Sequence, residues 1–159
     1  MAFEMIVPTP KAKPGQFKVS TVSRQGGAWR IQITIPSAEF GVAFGAAEQF
    51  DILRGTGDDA GKLMIRPNEA GLFKATGLKH CVIFRLPADD TTPQIEFKGE
   101  DPGRKVVDGC MLIELPAWAW EPGRWQQIRD ARNTAQRQDA AEKLTRKDAM
   151  ARIGAIKAP

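Results

Sequence analysis

Few side chains in this sequence are suited to chemistry, and they are scattered. His80 is the only histidine, and no acid, serine or cysteine stands at a spacing that would orient it as a general base. Ser20, Ser23 and Ser37 lie outside any Gly-x-Ser-x-Gly elbow, and no Gly-x4-Gly-Lys-Ser/Thr phosphate cradle occurs. Cys81 and Cys110 have neither a second cysteine nor a histidine at zinc-ligand spacing, so they read as two buried, reduced thiols. Asp58/Asp59 and Asp89/Asp90 are adjacent pairs in turn-rich stretches, where carboxylates usually serve the turn by accepting backbone N–H groups. These residues predict no catalytic centre, no metal site and no cofactor, and an enzyme is disfavoured.

The remaining chemistry is that of cations. The chain carries a net charge of +4, and it is unevenly spread. Residues 122–159 hold nine Lys/Arg against four Asp/Glu, while residues 1–121 hold 14 against 15. A second basic stretch, residues 8–30, contains Lys11, Lys13, Lys18, Arg24 and Arg30 and no acid. Two basic ends around a neutral body suit a polyanion, because each phosphate neutralised releases condensed counterions. The expected partner is nucleic acid, in the first instance DNA, met either as a small DNA-binding regulator or as a single-strand binder that grips phosphates with a basic arm and tail. A homodimer or a protein assembly partner is left open, and so is the rival reading of an adaptor that docks through its C-terminal helix.

The elements that would position these cations are mainly strands. In WRIQITIP, Ile31, Ile33 and Ile35 alternate with polar residues, the period-two pattern of a half-buried strand, and Pro36 ends it. Further strands are expected at residues 17–21, 50–54, 63–66, 82–86, 94–98 and 111–115. A hairpin turn is expected over residues 24–28, with its two glycines. Ser37 reads as the cap of one short helix bearing Phe40 and Phe44 and stopped by Gly45. Residues 1–16, with Pro8, Pro10 and Pro14, read as an extended basic arm. Residues 17–121 form the β body, and residues 122–159 a basic helical tail, with Thr145 and Asp148 placed to restart a second helix. Trp118 and Trp120 are expected in extended chain with both rings on one side. From there they would either stack on bases or, as favoured, clamp the tail to the body. The fold class is thus α+β, mainly antiparallel β with a C-terminal helix, and the body is drawn as a barrel.

An internal rhythm sharpens this picture. CVIFRLP echoes the first proline-closed strand, QIEFK echoes QFDILR, and MLIELP echoes LMIRP, which predicts two related three-stranded units at residues 29–67 and 81–116. Ile35, Pro36, Phe40, Phe44, Gly45, Phe50, Ile52, Leu63, Ile65 and Pro67 together resemble the swapped-hairpin DNA-binding domains of the AbrB/SpoVT/MraZ kind. The usual Gly-Asp step is replaced by Glu48 and Gln49, and the second unit lacks the helix. The resemblance implies two such units, as a dimer or a fused pair, presenting hairpin arginines to DNA. Combined with the basic ends, it makes Lys11, Lys13, Arg24, Arg30, Arg54, Arg66, Arg124, Arg129 and Arg132 the candidate contacts. No apolar run approaches membrane-spanning length and no secretion signal is visible at the N-terminus, so a cytoplasmic location is expected.

Overall fold

Ile31, Ile33 and Ile35 are all buried, and the strand that carries them, β2 (Arg30–Pro36), lies inside a four-stranded antiparallel sheet. The computed structural model describes Met5 and residues 16–156. The arm with Lys11 and Lys13 therefore lies outside the described residues. In the first sheet, β2 is flanked by β1 (Lys18–Val22) and β7 (Cys81–Arg85), with the short β6 (Thr76–Gly77) beyond β7. The β1–β2 turn is made by Gln25 and Gly26, both at positive φ, and the Gly27 N–H donates to the Arg24 carbonyl at 2.9 Å.

After Pro36 the chain enters α1 (Ser37–Phe44), which ends at Gly45 with φ 60°. Pro36 itself holds the capping position and no side chain caps the helix. Ser37, expected as the cap, is instead its first residue. The helix seats Phe40 and Phe44 on the core, where they meet Phe50 and Phe84 edge-on or tilted, with centroids 5.1–6.4 Å apart.

The second sheet follows the order β5 (Phe73–Lys74), β3 (Gln49–Arg54), β4 (Lys62–Pro67), β9 (Cys110–Glu114), β8 (Arg104–Val107). Both sheets are antiparallel and open, with their apolar faces on one core. Among the described residues there is no closed barrel, because the edge strands of one sheet do not pair with those of the other.

The two-unit rhythm has a counterpart in the topology. β1–β2 meets β6–β7 through the β2–β7 pair, and β3–β4 meets β8–β9 through the β4–β9 pair. Ile33 lies opposite Phe84 and Leu63 opposite Ile113, so corresponding residues stand 51 (84 minus 33) and 50 (113 minus 63) positions apart. The same offset of 50 carries the Arg54–Leu63 pair of one hairpin onto the Arg104–Ile113 pair of the other. The middle strand of the second unit is therefore β8. Residues 94–98 form no strand. They follow Pro93, which offers no N–H, and Thr21 satisfies their backbone instead: its hydroxyl donates to the Ile95 carbonyl at 2.8 Å and accepts from the Phe97 N–H at 2.7 Å.

Two further expectations are corrected past Pro116. Residues 117–120 form α2 (Ala117–Trp120), so the tryptophans point different ways, Trp118 4% and Trp120 39% exposed. The tail is one helix, α3 (Arg124–Ile156), roughly 50 Å long at 1.5 Å per residue. Thr145 does not restart it, since its hydroxyl donates back to the Ala141 carbonyl at 2.9 Å.

The clamp reading of the aromatics fits the contacts. The Trp118 ring stacks on Phe97 at 4.2 Å, the Arg132 guanidinium lies over Phe97 at 4.8 Å, and Arg132 donates to the Glu96 carbonyl at 2.6 Å. Replacing Arg132 by alanine should lower stability by roughly 1 kcal/mol and loosen the root of α3. Thermal unfolding, read beside amide exchange at residues 125–132, checks it.

Candidate nucleic-acid interface

Strand alternation sends Lys18, Ser20, Arg30, Gln32, Thr34, Ile83 and Arg85 to the face of the first sheet away from Ile33 and Phe84. None of the four strands contains an aspartate or glutamate. Arg30 and Arg85 are exposed on this face, and Lys18 is half-buried. Gln32 sits opposite Arg85 and accepts from its Nε at 3.2 Å. That bond holds the guanidinium against the sheet without neutralising it. Ser20, Thr34 and Ile83 are buried and Gln32 half-buried, so the middle of the face is low and shielded. Arg24 is exposed at the tip of the β1–β2 hairpin, at the same end of the sheet as Arg30 and Arg85.

The other cations predicted from sequence are placed differently. Arg54 pairs with Asp89 at 3.3 Å, and Arg66 with Asp51 at 2.9 Å. Arg129 pairs with Asp130 at 3.2 Å and lies over the Trp125 ring, while Arg132 is held by Glu96 and Phe97. Arg124 is exposed as the first residue of α3. The structure thus brings Arg24 and Arg30 together and adds Arg85 and Lys18, which the sequence reading did not select. It does not bring Arg54 and Arg66 to that face. The thiols of Cys81 and Cys110 are free and half-buried, more accessible than expected.

The second sheet offers a concavity of about 600 Å³, but its cations are mostly engaged. Besides Arg54, Lys62 meets Asp59 at 3.0 Å and Arg104 meets both Glu39 and Asp101 at 2.5 Å. Glu39 raises the Arg104 pKa above its ordinary value, chiefly by accepting its hydrogen bond. Only Lys105 among the lining cations is left without an ion pair among the described residues. No group of three or more His, Cys, Asp or Glu suited to a metal occurs among the described residues, and no described helix is long and apolar enough to cross a membrane.

Two aspartates are tied into the loops and hairpins around them. Asp89 has its pKa lowered, first by the hydrogen bond from the Thr91 hydroxyl; burial opposes this as the next largest effect, and the Thr91 N–H, the Arg54 charge and the Thr92 hydroxyl add to the lowering. Asp51 is lowered by Asn68 and Arg66. A depressed folded-state pKa contributes stability that is present above the unfolded value, about 3.9, and is lost as pH falls through the folded value. Denaturation midpoints should therefore hold steady down to about pH 5 and fall below about pH 4. Asp89→Asn should show a shallower acid-side fall, and an unchanged acid limb would remove this role.

Comparison of the chain with protein-family models, with curated proteins and with solved structures finds no match.

Proposed function

We propose that this chain is a DNA-binding protein that meets duplex DNA with the outer face of its first sheet. One observation carries the reading: four neighbouring strands without a single acidic residue, with Arg30 and Arg85 exposed on their outer face and Arg24 at the hairpin tip. An isolated cation on a surface means little, but an acid-free sheet has a positive field that no neighbouring carboxylate in the sheet cancels. The resemblance to swapped-hairpin domains supports the same reading, with the two halves of this body taking the place of two subunits. The helix α3 adds Arg137, Arg146, Lys147 and Arg152, none of them ion-paired among the described residues.

The test is a fluorescence-anisotropy titration of the intact chain with duplex and single-stranded DNA at several salt concentrations. Duplex binding that weakens linearly in log salt is expected. Absence of binding to either form at about 50 mM salt, where electrostatic binding is strong, would sink the proposal.

A second reading has its own observation. From Asp130 to Gly154 every residue of α3 is exposed, the large apolar Leu144, Met150 and Ile153 included, and a helix with so little packing of its own suits docking on another protein. Under that reading α3 acts as the arm of an adaptor. Capture of a protein partner that is lost on truncation of α3, in a chain that ignores DNA, would favour it.

A further inference from the structure

β8 forms one edge of the second sheet, and among the described residues nothing pairs with its outer side. The hairpin decides which of its backbone groups face outward. Asp108 and Gly109, at φ 52° and 74°, make a two-residue turn, so Val107 and Cys110 form a hydrogen-bonded pair. Farther along, the Glu114 N–H donates to the Gly103 carbonyl at 2.7 Å. Alternation between these two points assigns Lys105 to β9 and leaves the N–H and C=O of Arg104 and Val106 pointing to the open edge.

Alongside this edge runs an apolar groove of about 400 Å³ between α1 and β8, lined by Ala38, Val42, Ala43, Val106 and Met111. Val42 is 90% and Val106 52% exposed. Free strand edges beside an apolar groove receive an added strand, with the backbone bonding to the edge and alternate side chains entering the groove.

We propose that the added strand is β8 of a second copy of this chain, paired antiparallel about a two-fold axis through Val106. Symmetry and charge select this register. In a two-fold antiparallel pair the residue on the axis lies opposite itself. Lys105 on the axis would set two ammonium groups directly across from each other, which is unfavourable. Val106 on the axis joins two outward-facing N–H and C=O sets in a closely spaced hydrogen-bonded pair, and it lays valine on valine. The same register puts Val107 of the partner subunit opposite Lys105, so no two like charges stand directly across the pair. Val42 and Val106 of both copies then cover one another, and the two five-stranded sheets become one.

This inference is independent of DNA binding. Sedimentation velocity on the intact chain over a wide concentration range should show a monomer–dimer equilibrium. Val106→Lys should be monomeric throughout while its far-UV circular dichroism stays that of the parent. A chain with Cys81→Ser and Cys110→Ser that also carries Val106→Cys should cross-link to a dimer on mild oxidation, because an axial hydrogen-bonded pair sets the two Cα atoms about 5.5 Å apart, within disulfide range. Lys105→Cys in the same background should not, since the two Lys105 positions are diagonal rather than opposite, with Cα atoms beyond disulfide reach. A chain monomeric at every concentration, a dimer indifferent to Val106→Lys, or equal cross-linking from both cysteine positions would overturn the proposal.

Discussion

Replacing Phe50 by alanine is expected to cost about 3–5 kcal/mol of folding stability, among the largest effects of any single truncation in this chain. Phe50 is fully buried on β3 and touches three other rings: Phe44 at 5.1 Å, Phe84 at 5.2 Å and Phe40 at 5.7 Å. Those rings come from α1 and from β7 of the opposite sheet. The side chain therefore joins both sheets to the one helix that bridges them. Its removal takes away transfer free energy and edge-to-face contacts together, and it leaves a cavity that two rigid sheets cannot close. Ile52→Ala, on the same strand but only half-buried, should cost clearly less. Urea denaturation of the two variants checks the ordering. Equal small losses would mean that the sheets are not joined through this ring.

The backbone near Phe50 makes the same point from the other side. A Cβ on Gly71 would stand 2.4 Å from the Phe50 carbonyl oxygen, so Gly71→Ala should push the loop off β3. Nothing in the sequence around Gly71 announces that constraint. It arises from tertiary approach, which a one-dimensional pattern does not contain.

What could be read from the sequence was what short-range physics encodes. The alternation of Ile31, Ile33 and Ile35 gave β2, and similar alternation gave β3, β4, β7 and β9, because side chains on a strand must take opposite faces. Phe40 and Phe44, one helical turn apart and followed by Gly45, gave α1. The Asp108-Gly109 turn between RKVV and CMLIE was equally legible, since both residues tolerate positive φ. Reading residues 94–98 as the strand instead hid β8. β5 and β6, two residues each, are too short to carry any period.

The site was less legible than the fold, for a definite reason. Arg30 was visible as a cation at a strand start, but its partner on the same face, Arg85, belongs to β7 and is placed there only by the β2–β7 register. Likewise Arg54 looks free until Asp89, 35 positions away, is brought to it. Arg66 and Asp51 face each other directly across a hairpin, so that pairing was within reach of the sequence once β3 and β4 were aligned. Charge counts along a chain report totals; which charges remain unpaired is decided by strand order.

That distinction sets the second large effect. If the first sheet is the DNA surface, replacing Arg30 and Arg85 together by alanine should weaken duplex binding by roughly tenfold per lost phosphate contact at about 50 mM salt, and it should flatten the slope of log affinity against log salt by about 0.9 per contact. Both side chains are exposed on their strands, and among the described residues Arg85 donates only to Gln32, so the fold should be little changed and far-UV circular dichroism should match the parent. Arg54→Ala with Arg66→Ala is the contrasting pair. These guanidiniums are already bound to Asp89 and Asp51, so the slope should stay close to that of the parent. Ending the chain after Ala135 keeps the anchoring Trp125, Ile128 and Arg132 and removes the distal cations of α3. If the sheet and the helix grip separate phosphates, the loss from Arg30 and Arg85 should be the same in the shortened chain, since contacts without shared partners add. Should the Arg30/Arg85 pair leave the slope untouched while truncation abolishes it, the binding surface is the helix and the sheet has no part in it.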